Sequence, residues 1–182
     1  MVIKGKKISL LQVICLFLFY GFFRYLPAST AIIGGRLFRV LRYECCKHIF
    51  KKCGKNVNIE RKVFFGSGID LSIGDNSGIG IDCDVPSDIS IGNNVMMGPN
   101  CFIFNTNHNF SQLDIPMIQQ GGTVRKQTII EDDVWVGRQV IFTSGRTVKK
   151  GCIIGAGTVL CRDFEEYSII GGNPSQLIRK RN

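Results

Sequence analysis

An aliphatic or aromatic side chain recurs at every sixth position over most of the chain after residue 53. This period is neither the roughly 3.6 residues of an α-helix nor the two of a strand, and it is typical of a hexapeptide β-helix. Three hexads form one triangular coil, and the periodic side chains point inwards, so stacked coils bury a core that no single coil has. Cys53, Ile59 and Phe65 have the same spacing, which the stretch GIDLS then shifts by two. The predicted interior positions after this shift are Ile73, Ile79, Val85, Ile91, Met97, Ile103, Val124, Ile130, Val136, Phe142, Val148, Ile154 and Leu160.

The period is interrupted by the segment NFSQLDIPMIQQGGT, residues 109–123, which we predict to be an excursion loop that leaves the coil. Long loops in compact repeats usually carry function. His108 stands directly before this loop. Its imidazole is a candidate general base, because imidazole titrates near neutral pH, although a histidine here can also simply cap a coil.

The positive charge of the chain is concentrated at its N-terminal end. Residues 1–62 carry 13 Lys and Arg against two acidic residues, whereas residues 63–182 carry 10 against 12. A nucleic-acid binder usually has a basic patch on its folded domain, so this asymmetry argues against nucleic acid as a partner. It favours an anionic membrane surface that one end of the chain meets.

The N-terminal segment contains two predicted helices. Residues 8–23 are uncharged and apolar, and residues 34–54 have the spacing of a basic amphipathic helix, with Leu37, Val40 and Cys45 on the apolar face and Arg42 on the basic one. A signal peptide, a spanning helix, a helix lying in the membrane interface and simple packing on the domain or a partner subunit are the alternatives. We expect residues 1–52 to form a membrane-associating helical segment and residues 53–182 to form the β-helix domain.

The eight cysteines contain no CxxC pair, and the cluster of Cys45, Cys46, His48 and Cys53 fits no common metal-site spacing. We therefore expect no metal. Unpaired thiols at small interior positions suit a reducing compartment, which favours a cytoplasmic protein, peripheral on the inner face of the cell membrane.

Four stretches, IGNNVMMGPNCFIFNTNHNF, IIEDDVWVGRQVIF, VKKGCIIGAGTVL and IIGGNPSQLIRKR, together resemble the hexapeptide-repeat acyltransferases, and most closely the maltose, galactoside and capsular-polysaccharide O-acetyltransferases. The stretch FYGFFRYLPAS is similar to the leader of the membrane-linked branch that modifies polysaccharides. The resemblance implies an all-β fold, a left-handed parallel β-helix of hexapeptide repeats. It also implies a homotrimer with active sites between neighbouring subunits, acetyl-CoA as acyl donor and a saccharide acceptor.

The resemblance also implies site residues. His108 holds the place of the catalytic base. Where relatives carry Thr-Lys this chain has Cys161-Arg162, where they carry Arg it has Gln176, and their transition-state Asn has no counterpart in SGIGIDCD. The implied donor-site residues are Trp135, Gly137, Arg138, Ala156, Gly157, Cys161, Arg162, Gln176 and Arg179, and the candidate acceptor residues are Asp82, Asp84 and Asn105.

The predicted function is thus acetyl-CoA-dependent O-acetylation of a saccharide hydroxyl, in surface polysaccharide biosynthesis. His108 would take the hydroxyl proton, and amides of the Gly137–Arg138 turn would stabilise the oxyanion. An N-acyltransferase on an amino sugar or nucleotide sugar and a non-catalytic β-helix scaffold are the alternatives. A β-helix carbonic anhydrase needs three histidines around a metal, and the repeat region has one.

Overall fold

The structure is a computed structural model that describes residues 2, 3 and 5–181. A short antiparallel hairpin and two helices precede a solenoid of very short strands. The N-terminal elements are β1 (Val2–Ile3), β2 (Lys6–Lys7), α1 (Leu10–Gly21), a 3-10 turn (Phe23–Tyr25) and α2 (Gly35–Ile49). The solenoid strands are β3 (Lys52–Cys53), β4 (Asn58–Ile59), β5 (Ser72–Ile73), β6 (Gly78–Ile79), β7 (Ser90–Ile91), β8 (Met96–Met97), β9 (Phe102–Ile103), β10 (Ile129–Ile130), β11 (Trp135–Val136), β12 (Ile141–Phe142), β13 (Thr147–Val148), β14 (Ile153–Ile154), β15 (Val159–Leu160), β16 (Ser168–Gly171) and β17 (Gln176–Lys180).

The solenoid strands form three sheets that make the faces of a triangular prism. Sheet 1 has the order β3-β5-β7-β10-β13, sheet 2 has β4-β6-β8-β11-β14-β16-β17, and sheet 3 has β9-β12-β15. All pairs are parallel except β16 and β17, which form a closing antiparallel pair. The single bridges from Phe64 to Asp84 and from Asp84 to Phe102 extend sheet 3 towards the N-terminus. Identical hexad positions therefore lie above one another, as the period predicts.

The interior of the prism is filled by the periodic side chains. In each two-residue strand of the solenoid the second residue is the inward one, as in Ile141–Phe142, where Phe142 is fully buried. Twelve of the thirteen predicted interior positions are buried. The small residues between them, such as Ser77, Cys101 and Thr158, are buried as well.

The prediction for Val124 is wrong, because its side chain is 83% exposed. Val124 stands six residues before Ile130, but the chain has not yet returned to the prism there. The excursion is longer than the predicted 109–123, since β9 ends at Ile103 and β10 begins at Ile129. The neighbouring Arg125 is held outside the prism by Asp88, with its Nε 2.6 Å from a carboxylate oxygen.

The corners of the prism need backbone in the left-handed region. At the corner between sheets 1 and 2 the φ angles of Asn56, Asn76 and Asn94 are 57°, 56° and 56°. Asparagine tolerates this conformation better than most residues, because its short amide bonds locally. Here the amides also bond to one another, from Asn56 to Asn76 at 2.9 Å and from Asn76 to Asn94 at 3.3 Å. These bonds link successive coils along one edge.

The two helices pack against each other and against the first coil of the solenoid. Ser9 and Gln12 form a reciprocal capping box at the start of α1. The ring of Phe65, inside the first coil, lies 4.7 Å from that of Phe19 in α1 and 4.9 Å from that of Phe50 after α2. The helices thus cover apolar side chains that the first coil cannot bury alone. The division into a segment 1–52 and a domain 53–182 remains a prediction.

The helix predicted in residues 34–54 exists as α2, and Cys45 of its predicted apolar face is buried, but three other predicted positions are wrong. Leu37 and Val40 are 58% and 51% exposed, whereas Arg42 is fully buried. Arg42 is buried because backbone carbonyls satisfy it: Nε donates to Ile59 O at 2.7 Å and Nη1 to Pro27 O at 3.0 Å. Nη2 lies 3.6 Å from a carboxylate oxygen of Glu60.

Of the helices among the described residues, none combines the length and the apolar character that crossing a membrane requires.

Replacing Arg42 is expected to destabilise the joint between helices and solenoid. Arg42→Ala removes the buried ion pair with Glu60 and leaves the Ile59 and Pro27 carbonyls without this donor, so the free energy of unfolding should fall by about 3–5 kcal/mol. Chemical denaturation measures this loss. The matched control is Arg36→Ala, on the exposed side of the same helix, which should change it by less than about 0.5 kcal/mol. Equal effects of the two variants would contradict the buried role of Arg42.

Candidate active site

The base of the excursion loop holds the backbone of His108 in a short two-stranded clasp. His108 forms an antiparallel bridge with Gly122. On either side of it, the Thr123 amide donates to Asn107 O at 2.7 Å and the Asn109 amide donates to Gly121 O at 3.0 Å. The position of His108 is therefore fixed by the two ends of the loop rather than by the coil itself.

The side chain of His108 is exposed and does not point into the prism. Its backbone amide donates to Asn107 Oδ1 at 2.9 Å, but within the described chain its imidazole makes no hydrogen bond. An exposed imidazole without an internal partner is accessible to substrate, as a general base must be.

A cavity of about 290 Å³ opens on the outer face of sheet 3, and its lining includes the residues that lead up to His108 in the chain. Phe104, Asn105 and Thr106 line it, so the wall of the cavity ends two residues before the imidazole. The outward rings of Phe64 and Phe102 form its floor, with Asp84 between them in the strand stack. An aromatic floor with a single carboxylate suits a ligand that has both apolar faces and hydroxyl groups.

Asp84, which lines the cavity, and Asp88, which pairs with the lining residue Arg125, are in different environments. Partial burial raises the pKa of Asp84, and the positive charge of Arg24 opposes that shift. Burial also acts to raise the pKa of Asp88, but hydrogen bonds and charge from Arg125 outweigh it and lower the pKa. Arg125 binds Asp88 in a two-bond fork, at 2.6 and 2.8 Å. Asp88 is thus engaged in fixing the returning end of the loop, whereas Asp84 remains available to a ligand.

The three predicted acceptor residues do not lie together. Asp84 and Asn105 both line the cavity. Asp82 lies at the corner between sheets 2 and 3, with φ of 55°, and its carboxylate is 3.8 Å from Lys62 Nζ. Asp82 and Asp84 are separated because the chain turns at Asp82, whose backbone is in the left-handed region, and Asp84 already lies in the sheet 3 stack.

The predicted donor-site residues are spread over one face, two corners and the C-terminal strand. Trp135 projects outwards from sheet 2 and is 51% exposed. Cys161 and Arg162 follow β15, at the end of a sheet 3 strand. Two coils earlier, after β9 of the same sheet, the chain leaves the prism towards His108. Gly137, Arg138, Ala156 and Gly157 lie at the corner between sheets 2 and 3, and Gln176 and Arg179 lie in β17.

The glycines at this corner have different roles. A Cβ on Gly137 would lie 2.6 Å from the Ala156 amide, so this glycine allows successive coils to approach. Gly157 has a φ of 71° and nothing within 4 Å of an added Cβ, so the space beside it is open. The Gly137 amide donates to Ile154 O at 2.8 Å and is not free to bind an oxyanion, which leaves the Arg138 amide as the candidate.

Cys161 is the exposed member of the eight free cysteines. A hydrogen bond with the Ser175 hydroxyl, at 3.3 Å, lowers the pKa of its thiol. By contrast, burial raises the pKa of Cys45 to about 12. No group of three or more His, Cys, Asp or Glu side chains among residues 2, 3 and 5–181 is arranged to hold a metal ion.

Sequence reasoning missed the aromatic floor and Arg125. Each floor residue stands immediately before an inward residue, Phe64 before Phe65 and Phe102 before Ile103. The rule that neighbouring strand residues point to opposite faces would have placed both rings outside. Nothing in the sequence links Arg125 with Asp88, because that pair depends on the path of the loop.

No model of a known protein family matches the chain. The chain is 30% identical over 142 residues to a galactoside O-acetyltransferase of Lactococcus lactis, which covers 76% of this chain and 67% of that protein. Its structure is similar to that of a maltose O-acetyltransferase from Clostridium difficile, with a TM-score of 0.76, 28% identity and coverage of 96% and 90%. It is also similar to a galactoside acetyltransferase in complex with coenzyme A, with a TM-score of 0.77, 25% identity and coverage of 94% and 81%. The fold is the predicted left-handed parallel β-helix.

Proposed function

The chain is an acetyltransferase of the hexapeptide-repeat acyltransferase family, and we propose that it transfers the acetyl group of acetyl-CoA to a saccharide hydroxyl, with His108 as general base. The observation that carries the proposal is the exposed imidazole of His108 beside the aromatic-floored cavity. A scaffold without activity needs neither an open cavity nor a clasp that fixes an exposed histidine. From the similarity of the leader, we propose surface polysaccharide synthesis as the setting.

The reaction needs a base because an unperturbed alcohol is a weak nucleophile at neutral pH. His108 would accept the hydroxyl proton as the oxygen attacks the thioester carbonyl carbon. The resulting oxyanion collapses, the C–S bond breaks, and the coenzyme A thiolate takes the proton from the imidazolium. The donor is acetyl-CoA, and the exposed outer face of Trp135 and the open corner at Gly157 are surfaces that suit its long, narrow pantetheine arm.

The cavity beside His108 has the chemistry that a sugar acceptor requires. Sugars present apolar C–H faces, which pack on aromatic rings such as those of Phe64 and Phe102, and hydroxyls, which donate to a carboxylate. The side chains of Asp84 and Asn105 supply hydrogen-bonding groups at the edge of these rings. We propose this cavity as the acceptor site, with Asp84 and Asn105 in it and without Asp82.

We further propose that the active enzyme is a homotrimer whose sites lie between subunits. Two non-equivalent outer faces of the prism carry exposed apolar side chains: Met96 and Trp135 on sheet 2, and Phe102 and Ile141 on sheet 3. A contact between two different faces of identical chains is heterologous, and it closes into a ring of three when each copy is rotated by a third of a turn from the last. Such a ring would bring the Trp135 face of one copy towards the His108 face of the next, although the two are on separate faces of a single chain.

Replacing His108 tests the base assignment. His108→Ala should lower kcat by roughly 10²- to 10⁴-fold, with little change in acetyl-CoA affinity, because the proton acceptor is lost while the donor surface remains. Initial rates with a saccharide acceptor measure the effect. The matched control is His48→Ala, the other histidine of the chain, which is exposed on α2 and should leave the rate unchanged. Near-normal turnover in His108→Ala would overturn the proposed mechanism.

Replacing Asp84 tests the acceptor site. Asp84→Asn should raise the KM for the acceptor about tenfold, the equivalent of one lost charge-assisted hydrogen bond, and leave the KM for acetyl-CoA unchanged. Asp82→Asn is the control, because it keeps the corner conformation, which asparagine also adopts. If Asp82→Asn weakens acceptor binding and Asp84→Asn does not, the assignment is reversed.

Subunit complementation tests the shared site. His108→Ala and Arg138→Ala chains should each be poorly active alone at limiting acetyl-CoA. When the two are co-expressed, roughly a quarter of the sites would combine an intact His108 of one copy with an intact Arg138 of the next, so activity should return. Successive purification on two different affinity tags, one on each variant, verifies that mixed trimers form. Mixed trimers without recovered activity would show that each chain carries a whole site.

A further inference from the structure

Helix α1 is apolar on both sides, and the protein covers only one of them. No charged side chain occurs in Leu10–Gly21. Cys15 and Phe19 are buried against α2 and the first coil. The opposite side of the helix carries Leu10 and Phe17, which are 76% and 66% exposed. A helix that is apolar all round belongs in surroundings that are apolar all round, so the outer side of α1 needs a cover.

The apolar surface continues beyond the end of α1. The ring of Phe22 lies 5.9 Å from that of Phe17, and Phe22 is 56% exposed. Tyr25 follows at 59% exposure. We call this surface the α1 face; its members are Leu10, Leu11, Ile14, Phe17, Phe22 and Tyr25.

Positively charged side chains stand at the C-terminal end of the α1 face. The guanidinium of Arg24 lies 5.3 Å from the ring centroids of both Tyr20 and Tyr25. The Lys62 amide donates to Arg24 O at 2.7 Å, which brings the exposed Lys62 to the same end. Amphipathic aromatic rings combined with arginine are typical of a membrane–water interface.

Further cations stand at the N-terminal end. The side chain of Gln12 reaches Ile49 O at 3.5 Å, so the end of α2 and the exposed Lys51 and Lys52 lie near the start of α1. Lys6 is at this end too, and forms an ion pair with Asp70. The uncharged α1 face is therefore bounded by positive charge at both ends.

We propose that the α1 face docks onto a lipid bilayer with anionic headgroups, with α1 lying in the plane of the interface. The acyl region would cover the apolar side chains, and the headgroups would neutralise the flanking cations. A second copy of the chain on this face would oppose like charges, since residues 1–62 carry 13 Lys and Arg and two acids. The proposal does not depend on the acetyl transfer reaction.

Co-sedimentation with vesicles tests the proposal on the full chain. The probes are vesicles of phosphatidylcholine alone and of phosphatidylcholine with phosphatidylglycerol. Wild type should bind the anionic vesicles, and less at high salt. The triple variant Leu10→Ser, Ile14→Ser, Phe17→Ser should bind roughly tenfold more weakly, because three exposed apolar anchors are lost. The matched control replaces Leu113, Met117 and Ile118 with serine. These side chains are 98%, 63% and 85% exposed but lie on the excursion loop, so this variant should bind like wild type.

A second variant keeps the test decisive if the triple variant fails to fold by circular dichroism. Lys51→Gln, Lys52→Gln leaves every apolar contact in place and should weaken binding to anionic vesicles several-fold, with each charge near the surface contributing. Wild type that stays in the supernatant with both kinds of vesicle would overturn the proposal. So would a triple variant that binds like wild type, or one that changes the oligomeric state by light scattering, since the α1 face would then be a subunit interface.

Discussion

The stacking of inward side chains at every sixth position is the constraint on which the rest of the structure depends. Each strand from β3 to β15 contributes two residues, one inside and one outside, and a single strand buries too little to stand alone. Neighbouring coils supply both the hydrogen-bond partners and the remaining apolar contacts. Because the inner residue is committed to the core, the outer residue of each strand is free for other uses. Phe64, Asp84 and Phe102 line a cavity from such outer positions.

The candidate active site lies where this regularity is interrupted. The chain leaves the prism after Ile103, and the two ends of the loop hold His108 in a clasp outside the coil. The cavity draws Asp84 from one coil and Phe102 from the next, so its shape is maintained by the stack. The donor candidates around Trp135 are on another face. The proposed acceptor and donor surfaces are thus on different faces of one chain, and this separation is the physical argument for the proposed assembly.

The sequence predicted the fold well because a six-residue period is typical of one structure, the hexapeptide β-helix. It predicted the place of His108 from the interruption of that period. Its errors arose where tertiary contacts override spacing. Val124 keeps the period but is exposed, because Arg125 is held outside the prism by Asp88. Arg42 falls on the basic face of a helical wheel but is buried, because the carbonyls of Ile59 and Pro27 accept hydrogen bonds from it. The acceptor candidates Asp82 and Asp84 were not separable until the corner position of Asp82 was known.

The parallel stack also sets the distance between features that lie on different coils. The helices rest on the coil that contains Phe65, and His108 emerges from the coil that contains Ile103, two strand spacings further along sheet 3. Strands in a sheet repeat at about 4.8 Å, so the imidazole stands roughly 10 Å above the coil that carries the helices. Inserting or deleting one coil would move it by one such step without altering any hexad. Whatever the N-terminal helices contact is therefore kept at a set height from His108, and the number of coils between them fixes that height.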